Sequence, residues 1–296
     1  MLVAGAWHGP WAWDRVVPLL EGAGARTIVP DLAYGRDVGL HDHVAQVVAA
    51  LDAAGTGTGP GTDTDPETRR DVGVREAHHD ADFRGARYDA DFRGARYDAD
   101  IRENRYVADA HAGGGVVLVG HSYAGLVVRQ AADLRPERVD HVIMVEGWAG
   151  ADGDSLFSLA PEGFVKFVQD SAELTGQGAS ARTSAGSSSD GWQVPAPAPA
   201  LFGITDSDDT QWLQERLRPQ PLRTFTEGTR LTGAVDQIPG TAIYCRPQTF
   251  AFDRFAEAVG YRTVALDGPH DVMLTDPGAV ADVLMSARFR NRKLEA

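Results

Sequence analysis

The stretch that decides the fold is Val116-Val117-Leu118-Val119-Gly120-His121-Ser122-Tyr123-Ala124-Gly125-Leu126-Val127-Val128. Its apolar start, its Gly-x-Ser-x-Ala turn and its second apolar run predict a buried strand, a sharp turn and a helix. In so tight a turn the positions two before and two after the serine must be small, and Gly120 and Ala124 meet that need. This context is that of a nucleophile elbow, which raises Ser122 above the end of a sheet.

Strands and helices alternate on both sides of this stretch. Apolar runs predict further strands at Leu2–Gly5, Arg26–Leu32, Val139–Val145, Thr241–Cys245 and Thr263–Leu266. Apolar residues with helical spacing lie between them, as in Leu40–Ala54. This order predicts an α/β fold with a mostly parallel sheet flanked by helices.

Two segments interrupt the alternation. Residues 56–112 are of low complexity, and a nine-residue repeat occupies 80–106. We expect a duplicated surface loop that leaves the chemistry unaffected, with a docking segment for a partner as the alternative. Residues 151–235 predict a mainly helical cap or lid, which leaves 1–150 and 236–296 as the core.

Composition restricts the class of protein. The chain has 296 residues, 43% of them hydrophobic, which is enough for a sizeable buried core. Its net charge of −14 comes without a long basic run and argues against nucleic acid and anionic membranes as partners. No apolar run reaches the roughly 20 residues of a membrane span. We expect no signal peptide, and a single cysteine, Cys245, fits a cytoplasmic location.

The chemistry expected of Ser122 requires a base and an acid. A serine hydroxyl is a weak nucleophile at neutral pH, so a histidine must take its proton and a carboxylate must orient that histidine. His270 lies on the loop after the final strand, where such a base belongs. The acid has two candidates. Glu146 ends a buried strand and needs a partner there, and it is favoured over Asp253, the first carboxylate after the strand ending at Cys245.

Two further groups of residues are expected around the serine. A negatively charged intermediate needs two N–H donors, and we expect the amides of Tyr123 and Ala6 to form this oxyanion hole. Trp7, Trp148 and Trp192 are candidates to line an apolar substrate pocket. The pattern predicts no metal site.

Four motifs together resemble the α/β-hydrolase superfamily, and within it the esterase branch that includes plant hydroxynitrile lyases and methyl-ester esterases. They are Gly-Ala-Trp-His-Gly-Pro-Trp-Ala-Trp at 5–13, Pro-Asp-Leu at 30–32, Gly-His-Ser-Tyr-Ala-Gly at 120–125 and Gly-Pro-His-Asp-Val-Met-Leu-Thr-Asp-Pro at 268–277. The resemblance implies a cofactor-free Ser-His-acid site and a cap inserted after the sixth strand. It also implies an acid just after the strand that ends at Cys245, where this chain has none.

The leading hypothesis is therefore a serine hydrolase that cleaves a small to medium hydrophobic carboxylic ester or thioester. The first alternative is a cofactor-free lyase or cyclase of secondary metabolism, which would need a cation near the pocket; the only lysines are Lys166 and Lys293. The second is a non-catalytic binding protein. The expected partner is a small molecule, and a homodimer is left open.

Overall fold

A computed structural model describes residues 1–54, 115–174 and 191–290. These residues fall in one compact unit of the chain. The low-complexity segment 56–112, with its repeat at 80–106, lies outside the described residues. No helix in the described ranges combines the length and the apolar character needed to cross a membrane.

The described residues form two sheets. Their strands are β1 (Leu2–Val3), β2 (Val116–His121), β3 (Val139–Val145), β4 (Glu173–Leu174), β5 (Trp192–Val194), β6 (Gln220–Pro221), β7 (Gly240–Arg246) and β8 (Arg262–Asp267). The central sheet has the order β1-β2-β3-β7-β8, and every neighbouring pair in it is parallel. The second sheet is small and antiparallel, with the order β4-β5-β6.

The described residues also form ten α-helices. They are α1 (Val17–Gly22), α2 (Leu40–Ala54), α3 (Ala124–Leu134), α4 (Leu156–Leu159), α5 (Glu162–Ser171), α6 (Ser207–Gln214), α7 (Arg223–Thr226), α8 (Phe252–Ala258), α9 (Val272–Thr275) and α10 (Pro277–Arg290). The prediction of a mostly parallel sheet flanked by helices is confirmed.

Side chains of the central strands alternate between two buried cores. In β3, Val142 and Met144 pack in the core that contains the apolar faces of α2 and α3. Ile143 and Val145 pack in the second core, with α1 and α10. Because successive residues of a strand point to opposite faces, continuous apolar runs are what a sheet covered on both sides requires.

The strand expected at Arg26–Leu32 is not formed. The segment runs beside β1, where the Ile28 carbonyl accepts a hydrogen bond from the Leu2 amide at 2.8 Å, but it has no assigned strand structure. Pro30 lacks an N–H group and so removes a donor from any ladder there.

The segment 151–235 follows β3 in the described chain. In its described part the helices α4, α5, α6 and α7 are joined by the short strands β4, β5 and β6. Pro195, Pro219 and Pro221 flank or occupy these short strands, and proline disfavours helix interiors.

Candidate active site

Ser122 occupies a strained turn between β2 and α3. Its φ is 53°, in the left-handed region that non-glycine residues rarely adopt. The turn is held because the Ser122 amide donates to the Val145 carbonyl at 3.1 Å and its own carbonyl accepts from Gly125 at 3.0 Å. A Cβ atom on Gly120 would lie 2.6 Å from the Ala124 carbonyl oxygen. Gly120 is therefore the small residue that the turn requires, at the point where the backbone of β2 comes closest to that of α3.

His270 lies between the serine and a carboxylate. Its Nε2 atom is 3.0 Å from Ser122 Oγ, and its Nδ1 atom is 3.2 Å from Glu146 Oε2. Since a carboxylate only accepts hydrogen bonds, the proton lies on Nδ1 in the neutral ring, and Nε2 is free to accept from the serine hydroxyl. The imidazole ring also stacks on Phe252 and Phe202, at 5.5 and 6.4 Å between ring centroids.

Glu146 is fully buried and has both oxygens engaged. Oε1 accepts a hydrogen bond from the Cys245 amide at 2.5 Å, while Oε2 faces His270. Like Ser122, Glu146 has a positive φ, 49°. Asp253, the other candidate acid, lies in the first turn of α8, and its carboxylate accepts from the Arg254 amide at 2.8 Å. The structure thus brings Glu146 to the histidine.

The amides of Ala6 and Tyr123 are available near the serine. Within the described part of the chain, neither N–H group has a hydrogen-bond acceptor. Gly5 packs directly against the elbow, because a Cβ atom on it would lie 2.9 Å from Ser122 Cβ and 2.9 Å from His121 Nδ1. Two unpaired amides on loops that meet at a serine are the arrangement that an oxyanion hole needs.

The three tryptophans expected in the pocket have different surroundings. Trp7 is buried and contacts Phe202 and Phe225. Trp148 is buried within a phenylalanine cluster and reaches the site through Phe252. Trp192 lies half-buried in β5, where its carbonyl accepts from the Leu222 amide.

A second cluster of buried polar groups lies beside the first. Nε2 of His8 is 3.0 Å from Asp271 Oδ2, and its Nδ1 is 2.7 Å from the Ala6 carbonyl oxygen. When Asp271 is ionised both of these oxygens are acceptors, and His8 then carries a proton on each nitrogen. Burial works against that charge, but the charge and hydrogen bond of Asp271 prevail and raise the pKa of His8. Burial likewise opposes ionisation of Asp271, yet His8 holds its pKa below the usual value.

His121 completes this cluster as a neutral ring. Its Nε2 lies 3.3 Å from the His270 carbonyl oxygen and 3.5 Å from Asp271 Oδ1, and burial holds its pKa well below the usual value. His121, His270 and Asp271 offer possible metal-ligand atoms within 4.8 Å of one another. A metal would have to compete with the existing partners of His270, which are Ser122 and Glu146, and with His8 for Asp271.

Sequence reasoning did not find the roles of Asp271, His8 and Gln220. Asp271 and His8 are separated by 263 positions, and no local pattern signals that they form a pair. Gln220, whose Oε1 accepts from the Trp7 amide at 2.9 Å, also lacks a local signal. The sequence shows only that His8 lies in the Gly- and Trp-rich stretch at 5–13.

The lyase alternative needs a cation near the pocket. Lys166 is 73% exposed on α5 and pairs with Asp170 at 2.9 Å, and Lys293 lies outside the described residues.

A cavity of about 500 Å³ opens between α2 and α3 and is lined in part by Val44, Val48 and Leu134. Its lining includes no residue of the Ser122 site.

The fold of the described residues is that of the alpha/beta hydrolases. The model of the alpha/beta hydrolase family matches residues 1–283, so the chain is a member of that family. The chain is 25% identical over 303 residues to the carbendazim hydrolyzing esterase of Nocardioides sp. (strain SG-4G), covering 96% of this chain and 97% of the relative.

Solved structures with the same fold include two further hydrolases. An extracellular alpha/beta-hydrolase from a Paenibacillus species, described as homologous to tobacco salicylic acid binding protein 2, superposes with a TM-score of 0.65 at 16% identity over 98% of each chain. A methylesterase from Arabidopsis superposes with a TM-score of 0.59 at 15% identity, covering 97% of this chain and 99% of its own. The predicted family is confirmed, and esterases are among the proteins that this chain resembles.

Proposed function

We propose that the chain is a serine hydrolase that cleaves a small to medium hydrophobic carboxylic ester or thioester. The observation that carries the proposal is the position of His270, with Nε2 at 3.0 Å from Ser122 Oγ and Nδ1 at 3.2 Å from Glu146 Oε2. Both distances allow a proton to pass from the serine to the histidine while the carboxylate orients the ring.

In the proposed mechanism Ser122 Oγ attacks the acyl carbon and its proton passes to His270 Nε2. The oxyanion that forms is stabilised by the amides of Ala6 and Tyr123, and Glu146 stabilises the imidazolium. The bond to the leaving alcohol or thiol then breaks, and that group takes the proton from His270. Water releases the acyl group from Ser122 by the reverse transfers, which restores the hydroxyl.

The proposal gives the segment 151–235 the role of a cap over this site. Two contacts support that role: Phe202 of this segment stacks on the His270 ring at 6.4 Å, and Gln220 accepts from the Trp7 amide. The aromatic side chains around His270 favour an apolar substrate. The exposed position of Lys166 offers little support for the lyase alternative, which needs a cation at the pocket.

The test is hydrolysis of a p-nitrophenyl ester series from acetate to octanoate by the wild type, Ser122→Ala and Ser286→Ala. Ser286 is a matched control, because its hydroxyl donates to the Val283 carbonyl of its own helix, α10. We expect turnover to vanish in Ser122→Ala and to persist in Ser286→Ala. Carbendazim belongs in the substrate panel because a relative is named for its hydrolysis. Equal activity in Ser122→Ala and the wild type would refute the proposal.

A further inference from the structure

The loop that carries Ala6 is closed by its own backbone. The His8 amide donates to the Gly5 carbonyl at 3.2 Å. The cis peptide bond in the described chain is at Arg246-Pro247, so the Gly5–Ala6 peptide is trans. The C=O and N–H groups of a trans peptide point in opposite directions. The Ala6 N–H is therefore directed away from the closed turn, on the peptide that packs against Ser122.

The next peptide unit, between Ala6 and Trp7, is held on both sides by buried side chains. Its carbonyl oxygen lies 2.7 Å from His8 Nδ1, and its N–H donates to Gln220 Oε1 at 2.9 Å. This unit is unusual because Trp7 has a φ of 66°. A bulky residue in that region costs free energy and persists only when its surroundings hold it.

Each of the two side chains is itself fixed in one orientation. The Nε2 atom of Gln220 donates to Thr224 Oγ1 at 2.8 Å, and the Thr224 hydroxyl donates to the Pro221 carbonyl at 2.7 Å. This chain of donors leaves Gln220 Oε1 as the atom that faces Trp7. On the other side, Asp271 accepts from His8 Nε2 at 3.0 Å.

We propose that Gln220 and His8 are positioning residues that clamp the Ala6–Trp7 peptide and so hold the Ala6 N–H in the oxyanion hole. This inference rests on the proposed serine-hydrolase function. Fixing the Ala6–Trp7 peptide sets ψ of Ala6 and φ of Trp7, and through them the direction of the preceding N–H. Because Gln220 belongs to the segment 151–235, the oxyanion hole depends on contact between that segment and the core.

The test compares Gln220→Met with Gln193→Met. Methionine has nearly the length of glutamine but lacks the acceptor that Trp7 needs. Gln193 is a matched control in the neighbouring strand, where its side chain donates to the Tyr34 carbonyl at 2.9 Å. The measurements are kcat and KM for p-nitrophenyl butyrate, and inhibition by an aryl trifluoromethyl ketone, which forms a charged tetrahedral adduct, and by the corresponding methyl ketone.

For Gln220→Met we expect kcat to fall about ten- to a hundredfold, less than the roughly 10²–10³ lost when a whole oxyanion donor is removed. KM should change little. Inhibition by the trifluoromethyl ketone should weaken by a similar factor, while the methyl ketone binds as before. Gln193→Met should match the wild type, and Gln220→Glu, which keeps an acceptor for Trp7, should recover part of the lost kcat.

Three outcomes would overturn the clamp. One is equal kcat and equal trifluoromethyl ketone inhibition in Gln220→Met and Gln193→Met. Another is an equal loss of both ketones, which indicates general disruption. The third applies if Gln220→Met does not fold. Thr224→Val then removes the hydrogen-bond partner of Gln220 Nε2 and leaves Gln220 itself in place, and an unchanged kcat in that variant would overturn the clamp. A wild type inert toward esters would instead overturn the proposed function, and the clamp with it.

Discussion

Nδ1 of His270 lies 3.2 Å from Oε2 of Glu146, a residue that directly follows β3 rather than β7. The two strands are parallel neighbours, with Val145 opposite Ile243. The other oxygen of Glu146 accepts from the Cys245 amide near the end of β7. Glu146 therefore reaches across from β3 to the place where the resemblance implied an acid, so the empty position after Cys245 does not leave His270 without a carboxylate.

The first prediction concerns this carboxylate. Glu146→Gln keeps the shape of the side chain but removes the charge that stabilises the imidazolium, so kcat should fall by about 10³–10⁴. Asp253→Asn is the matched control and should retain nearly full activity. Steady-state hydrolysis of p-nitrophenyl butyrate at neutral pH measures both. Loss of activity in Asp253→Asn, with Glu146→Gln unaffected, would reverse the assignment.

The second prediction concerns the buried pair of His8 and Asp271. Asp271→Asn leaves the buried His8 cation without its counter-charge and should lower the free energy of unfolding by about 3–5 kcal/mol. The control is Asp170→Asn, whose carboxylate is 65% exposed in its pair with the similarly exposed Lys166 and should cost at most about 1 kcal/mol. Urea unfolding of both variants makes the comparison, and equal losses would show that burial does not govern the pair.

The same pair gives a prediction on pH. The pKa of His8 is raised from 6.5, so its contribution to stability is complete below that value and is lost as pH rises through the raised pKa. The pKa of Asp271 is lowered from 3.8, so its contribution is present above that value and is lost as pH falls through the lowered pKa. The stability difference between wild type and Asp271→Asn should therefore be largest between about pH 4 and 6.5. A difference independent of pH from 3 to 9 would contradict the charged pair.

The fourth prediction separates the backbone of Tyr123 from its side chain. The Tyr123 hydroxyl lies 3.1 Å from His43 Nδ1, while His43 Nε2 lies 2.8 Å from the Ala33 carbonyl oxygen. Tyr123→Phe leaves a buried ring nitrogen unpaired and should cost about 1–3 kcal/mol of stability. Because the proposed oxyanion donor is the amide, kcat should change by less than about threefold. Thermal unfolding and ester hydrolysis of Tyr123→Phe test this, with the half-buried Tyr244→Phe as control, and a large loss of kcat would give the hydroxyl a catalytic role.

The fifth prediction tests the close approach at the elbow. Gly120→Ala places a Cβ atom 2.6 Å from a backbone oxygen and should destabilise the fold by about 1–3 kcal/mol while reducing activity. Gly163 is the control, because it lies in α5 with no atom within 4 Å of an added Cβ. Gly163→Ala should leave stability equal or raise it by up to about 1 kcal/mol. Equal thermal stability in the two variants would contradict the steric account.

Local patterns predicted the features that depend on short stretches of chain. The elbow around Ser122 and the turn carrying His270 each lie within about ten residues, so their residue types and spacing are visible in the sequence. Glu146 could be chosen because a carboxylate that ends a buried strand needs a partner. Two contacts could not be predicted from the sequence, because each joins residues more than 200 positions apart. They are the pairing of His8 with Asp271 and the hydrogen bond between Gln220 and Trp7. The strand predicted at 26–32 is not formed. Its apolar residues indicated a buried strand, but Pro30 has no N–H group to donate to a neighbouring strand.

The most direct test of the central claim is to look for an acyl group on Ser122. The protein is mixed with a p-nitrophenyl ester and quenched in acid within the first turnover, and the intact protein and its peptides are analysed by mass spectrometry. The account predicts a burst of p-nitrophenol and one acyl group on the peptide that contains Ser122, with neither in Ser122→Ala. Steady turnover without an acylated peptide, at quench times shorter than one turnover, would contradict the covalent mechanism and favour base chemistry by His270 alone.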